Sequence, residues 1–166
     1  MSTPSIVPMM TSIDHAHLRR IASAGMRIRR APPSAQILAI ELERARVVDP
    51  VRLPSNVISM HSVFDFRDGI TEQLRRAMLV YPGEEDAGLG RISVLSPLGA
   101  ALIGLAEGQS HRWRSATGAQ RTLHVIQVVH QPEREEMSQG NMMQGDILKD
   151  AEAPVRDNSG RIRTML

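Results

Sequence analysis

The sequence predicts an α+β fold: a short N-terminal helical hairpin followed by an antiparallel sheet domain with one short helix. Three observations predict it. Apolar residues recur at helical spacing between Thr11 and Val48, with Pro32-Pro33 as the only interruption. From Val57 the period changes to two. Inside that second half, Ser96-Pro97 opens one further stretch in which Leu98, Ala101, Leu102 and Leu105 keep an i, i+3, i+4, i+7 spacing. Helices first and strands afterwards, rather than in alternation, make an α+β arrangement.

Residues 1–10 are rich in Pro and Ser and are expected to be a flexible N-terminus. The hairpin and its linker occupy 11–53. Thr11 or Ser12 can cap the first helix, with Asp14 favoured in the opening turn by the helix dipole. Leu18, Ile21, Ala22, Gly25 and Ile28 fall on one face, although Gly25 argues against an unbroken helix. Ser34 can cap the second helix. There, Ala35, Leu38, Leu42 and Ala45 share a face while Ile37 and Ile40 lie roughly opposite, the pattern of a helix packed on two sides. Glu41–Arg44 and Glu43–Arg46 are spaced to brace its exposed surface.

Asp49-Pro50 and Leu53-Pro54 mark the linker, and the sheet domain runs over 54–133. Val57–Phe66, Leu74–Tyr81 and Arg91–Leu95 read as strands, with an acidic loop over 82–90. The short helix has Ser96 as its cap and Pro97 at the first helical position. A hairpin turning at Thr117-Gly118 joins Ser110–Ser115 to Gln120–His130. Apolar residues on both faces of that last run suggest a central strand. Residues 134–166 show no sustained period and are expected to be a disordered tail.

Composition narrows the function classes. With no cysteine there is neither a disulfide framework nor a thiolate site, which suits a cytoplasmic location. No run of about 18 apolar residues exists, so no membrane partner is expected. The formal charge is only +2, and the high isoelectric point of about 9.9 reflects arginine rather than a strongly cationic surface. One basic cluster stands out: Arg19, Arg20, Arg27, Arg29 and Arg30, near the single acid Asp14. His15 and His17 point to different sides of a helix and cannot chelate together. No nucleophile elbow or phosphate-binding loop is present. No metal and no cofactor are expected.

Longer runs carry more information. VISMHSVFDFRD, LVYPGEEDAGLGRISVLSPLGAALIGLAEGQ and LHVIQVVHQPE together resemble the C-terminal domain of the GreA/GreB transcription elongation factors. More closely, with the joining segment AIELERARVVDPVRLPSNVISMHSVFDFRD, the chain resembles the regulator of nucleoside diphosphate kinase family, over roughly 35–133 and less clearly over 5–34. The resemblance implies an FKBP-like sheet domain and an RNA polymerase partner, bound at the coiled coil on the rim of its secondary channel. It also implies a bacterial regulator of transcription elongation that is not an enzyme. The docking loop of the elongation factors matches Leu95, Ser96, Pro97 and Leu98 here. Pro97 would fix the helix entry, Ser96 would present a cap hydroxyl, and the leucines would offer a dry patch.

The hairpin departs from the cleavage-stimulating members, which carry two acidic residues at the tip of a long coiled coil to hold Mg²⁺. The inter-helix segment here, GMRIRRAPPS, has no carboxylate. The expectation is therefore a competitor that occupies the rim site without stimulating transcript cleavage. Arg27, Arg29 and Arg30 at the tip can contact acidic polymerase surface or, weakly, nucleic-acid phosphates. A monomer is expected. Two rival readings remain: a prolyl isomerase of the FKBP type, which would need several aromatics around its pocket, and an RNA-binding module using Trp113 between Arg112 and Arg114.

Overall fold

In the computed structural model, which describes residues 6–115 and 117–139, the chain enters as a short strand, β1 (Met9–Thr11). Thr11 then starts helix α1 (Ser12–Met26) by accepting the Asp14 backbone N–H on its hydroxyl at 3.0 Å. Leu18, Ala22 and Gly25 form the buried stripe. The helix runs through Gly25 because the glycine is an asset there: a β-carbon at that position would lie 2.9 Å from the Cβ of Ala35 on α2 (Pro33–Arg44). Ile28, expected on the stripe, lies beyond the helix end and is exposed.

Helix α2 starts two residues earlier than Ser34 would allow as a cap. Pro32 is the extended N-cap and Pro33 occupies the first turn, where its missing N–H costs nothing, so Ser34 is buried inside the helix. Ala35, Leu38 and Leu42 are buried as expected and Ile37 packs on the core, but Ile40 faces solvent. Glu41 does not brace an exposed surface either. It is buried, 3.5 Å from Arg44, whose other terminal nitrogen donates to the Ile6 carbonyl at 2.7 Å. Strand β2 (Arg46–Val48) then pairs in parallel with β1, tying the two ends of the hairpin together. At 1.5 Å per residue, the 15 residues of α1 make an arm about 22 Å long.

Among the described residues the main sheet has five strands: β3 (Val63–Asp68), β4 (Leu74–Val80), β5 (Arg91–Ser93), β6 (Ser110–Arg114) and β7 (Gln120–His130). Their order is β5-β4-β3-β7-β6, antiparallel except for the β4–β5 pair. Helix α3 (Pro97–Leu102) crosses between β5 and β6. The strand expected from Val57 begins only at Val63. Before it, Ser62 accepts the Ser59 N–H on its hydroxyl at 3.0 Å, and His61 takes a left-handed φ of 61° while donating its own N–H to Leu79 at 2.7 Å. Side chain to backbone bonding of this kind competes with a ladder.

Strand β7 is central, as expected, yet its two apolar faces have another origin. Phe66 pairs with Val125, Asp65 with Gln127, Phe64 with Val128 and Val63 with His130, so Ile126 and Val129 are skipped as two bulges and turned outward. The bulges keep Leu123, Val125 and Val128 on the core side. Leu18, Leu38 and Leu42 of the arm join Phe64, Phe66, Leu79, Leu102 and Leu123 in one apolar cluster. Arm and sheet therefore share a core, and the chain through Glu133 is one unit. His111 and Trp113 share the inner face of β6, half-buried, with Arg112 and Arg114 outside. Residues 132–139 are helical; the expected disordered tail lies, from residue 140 onward, outside the described residues. No described helix is long and apolar enough to cross a membrane.

Candidate docking surface

The turn from β5 into α3 is built by two serines. Ser93 accepts the Leu95 N–H on its hydroxyl at 3.2 Å. Ser96 donates its hydroxyl to the Ser93 carbonyl at 2.7 Å and accepts the Gly99 N–H at 2.9 Å. The proton of the Ser96 hydroxyl and one of its two lone pairs are thus spent inside the turn, which it shapes. Gly99 is demanded by the same tightness, because a β-carbon there would clash with the Ser93 carbonyl. Pro97 sits at the first helical position, and the helix closes with Gly104 at φ 79°, just past Ile103.

This turn edges a groove. Phe66, Ala77, Ile92, Leu95 and Leu98 supply apolar lining, and Arg75, Arg76 and Arg91 bring three guanidinium groups to it against the single carboxylate of Glu85. Arg75 rests over the Phe66 ring, 5.9 Å from its centroid. Arg76 is fixed by a two-pronged bond to Asp65, at 2.8 and 2.9 Å, and that carboxylate also accepts from the Gln127 amide at 2.8 Å. The Arg76 bonds hold the Asp65 carboxyl below the usual range against the opposing effect of burial. Leu95, Ser96 and Leu98 therefore come together at the groove, while Pro97, half-buried beside them, is not part of its lining.

The tip residues lie elsewhere. Arg27 follows the end of α1, and Arg27, Arg29 and Arg30 are all exposed, together with Met26 and Ile28. No carboxylate lies between Met26 and Pro33. Sequence reasoning singled out the loop and the tip; it did not single out Arg75, Arg91 and Phe66, which line the groove beside that loop. Nothing in a strand pattern says that the edge of β4 will meet the 95–98 turn; only the parallel β4–β5 pairing does so.

Comparison with known proteins follows the same division. Residues 4–48 match the family model described as the Rnk N-terminus, and residues 53–130 match that of the C-terminal part of transcription elongation factor GreA/GreB. The regulator of nucleoside diphosphate kinase of Escherichia coli K12 is 37% identical over 101 residues, which span 61% of this chain and 74% of that protein. The chain belongs to the regulator of nucleoside diphosphate kinase family. The chain is also similar to transcription elongation factor GreA of Thermodesulfovibrio yellowstonii, 38% identical over 74 residues, 45% of this chain and 47% of that one. A solved GreA/GreB elongation factor from Nitrosomonas europaea superposes with a TM-score of 0.60 at 31% identity, covering 76% of this chain and all of the other.

Proposed function

We propose that the chain binds RNA polymerase at the secondary-channel rim and regulates elongation by occupying that site, without stimulating transcript cleavage. The observation that carries this reading is the pairing of a shaped apolar groove beside Leu95–Leu98 with an arm whose tip lacks any carboxylate. The groove suits an apolar segment with acidic flanks, because Ile92, Leu95 and Leu98 provide dry contact and Arg75 and Arg91 provide charge complementarity. At the tip, guanidinium groups repel Mg²⁺ where cleavage would need oxygens to hold it. The arm thus contributes bulk and positive charge rather than chemistry.

Two finer features belong to the same proposal. The sheet domain is taken as FKBP-like, and the molecule acts in the bacterial cytoplasm as a monomer, with a hairpin and linker over 11–53, the sheet domain over 54–133 and a tail after it. Isomerase activity has less support. Phe64 and Phe66 are committed to the core, and among the described residues Phe66 is the only aromatic one lining the groove. The RNA-binding alternative rests on Trp113, whose ring packs against the core while Arg112 and Arg114 face solvent, so no stacking platform lies between them.

The test is a pull-down with core RNA polymerase, followed by titration of the protein against a cleavage factor on backtracked elongation complexes. Wild type should bind and suppress cleavage dose-dependently. Leu98→Asp should weaken binding by roughly tenfold or more, since a charge would be carried into an apolar contact. Fresh cleavage by the protein alone, or an unmoved dose–response of the cleavage factor, would sink the reading.

A further inference from the structure

Between the arm and the groove lies a cluster of polar side chains that docking does not require. Asp14, on the first turn of α1, is buried at 8% exposure, and its carboxylate accepts the Met60 N–H at 3.1 Å. The Tyr81 hydroxyl faces the same carboxylate. Around the tyrosine ring stand His61, 5.4 Å away edge-on, and His17, 6.4 Å away. His61 is held in the left-handed backbone region that side chains disfavour, and its Nε2 lies 3.0 Å from the Glu84 carboxylate. That same Glu84 oxygen accepts the Tyr81 N–H at 3.0 Å. One residue on, Glu85 accepts the Gly83 N–H at 2.6 Å, and Pro82, Glu85 and Ala87 line the groove.

We propose that the 81–87 loop couples arm to groove: Tyr81, pinned by Glu84, stands against Asp14 and His17 of α1 on one side while Pro82, Glu85 and Ala87 wall the groove on the other. Occupancy of the groove and seating of the arm then bias each other, reciprocally as any such linkage must be. What fills the groove rests on the docking reading; the coupling rests on the contacts alone. The loop is built to give. Residues 82–89 are all exposed, and Glu84, Glu85 and Asp86 fold their carboxylates back onto loop N–H groups, so little buried apolar surface fixes the loop. Arg91, at the groove, is one of the charges that favour the ionised form of Glu84. An acidic group entering the groove would compete for that arginine and loosen the Glu84 end of the network. Asp14 completes the logic: among the described residues it has no arginine or lysine ion pair, so its seat depends on Tyr81 and one backbone donor.

Hydrogen exchange on the full chain, without partner, decides the coupling. Tyr81→Phe should speed exchange of the 81–90 segment roughly threefold or more and leave β6 and β7 unchanged, since local opening tracks local contacts. Asp14→Ala should do the same, and Glu84→Gln should speed exchange in the first turn of α1; Ser23→Ala, exposed on α1 outside the network, is the control. Should Asp14→Ala fail to fold, Tyr81→Phe and Glu84→Gln still decide. Folded variants with wild-type rates in both segments overturn the proposal. With core RNA polymerase added, binding should change exchange at the first turn of α1 in wild type, and Glu84→Gln should bind yet lose that change. If the polymerase does not bind at all, the docking reading fails, and the free-chain rates still judge the coupling.

Discussion

Two aspartates lie under the surface of the same unit and are treated in opposite ways. Asp65, 5% exposed in the middle of β3, accepts two bonds from Arg76 and one from Gln127, and its carboxyl is held below the usual range. Asp14, 8% exposed at the arm junction, accepts from one backbone N–H and faces one tyrosine hydroxyl, and burial pushes its carboxyl above the usual range. The first charge is fully matched across three adjacent strands and acts as a strut beside the groove. The second is undermatched, so folding tolerates it rather than profits from it. A protein that needs a firm sheet and an adjustable junction has reason to place its charges so.

The largest test of that contrast is Asp65→Ala. It removes three charge-assisted bonds and leaves Arg76 unpaired at the groove, so urea unfolding should show a loss of about 2–3 kcal/mol. Equal losses in Arg76→Ala, in Asp65→Ala and in the double variant would locate the effect in that pair. Asp14→Ala should cost less, about 1 kcal/mol, because the Met60 N–H loses its partner while the cost of burying an undermatched carboxylate is removed at the same time. If Asp14→Ala proves the more damaging of the two, the contrast is wrong.

The pH dependence separates the two sites by sign. For Asp65 the folded value lies below the ordinary 3.8, so its contribution is present above that pH and disappears as pH falls through the folded value. The stability gap between wild type and Asp65→Asn should therefore be wide at neutral pH and close in acid, below about 3.8. For Asp14 the folded value lies above 3.8, so its relative contribution is fully present below 3.8 and is lost as pH rises through the folded value. Asp14→Asn should match or exceed wild type at neutral pH and lose that advantage in acid. His17, His61 and Tyr81 face this carboxylate, with Glu84 and Glu133 near the tyrosine, so the profile is to be repeated in His17→Gln and His61→Gln backgrounds. Parallel slopes for the two aspartates would refute the distinction.

How far the sequence foretold these sites follows from range of contact. The hairpin, the Thr11 cap, the Ser96-Pro97 helix start and the β6–β7 turn all depend on residues within a few positions of one another, and all appear where local pattern puts them. The late start of β3 and the bulges at Ile126 and Val129 do not, because one rests on a Ser59–Ser62 bond and the other on strand register. Asp14 reads as a helix-dipole residue, and its burial against Met60 depends on a partner 46 positions away. The histidine at position 61 looks like any surface histidine until its backbone is seen in the left-handed region.

The smallest effect is also the most specific. Tyr81 is the only tyrosine in the chain, so the ultraviolet absorbance of a phenolate reports on it alone. Burial and the negative charge of Asp14 push its hydroxyl up to about 12. Asp14→Asn removes the charge but leaves the burial, so the midpoint should fall part of the way toward the ordinary 10.0 without reaching it. Glu84→Gln should shift it in the same direction by less, since the charge of Glu84 acts on the hydroxyl more weakly than that of Asp14. Read by stopped-flow before alkaline unfolding, the two shifts place Asp14 and Glu84 on one tyrosine, the contact through which the arm and the loop would share strain. A midpoint indifferent to Asp14 would separate them.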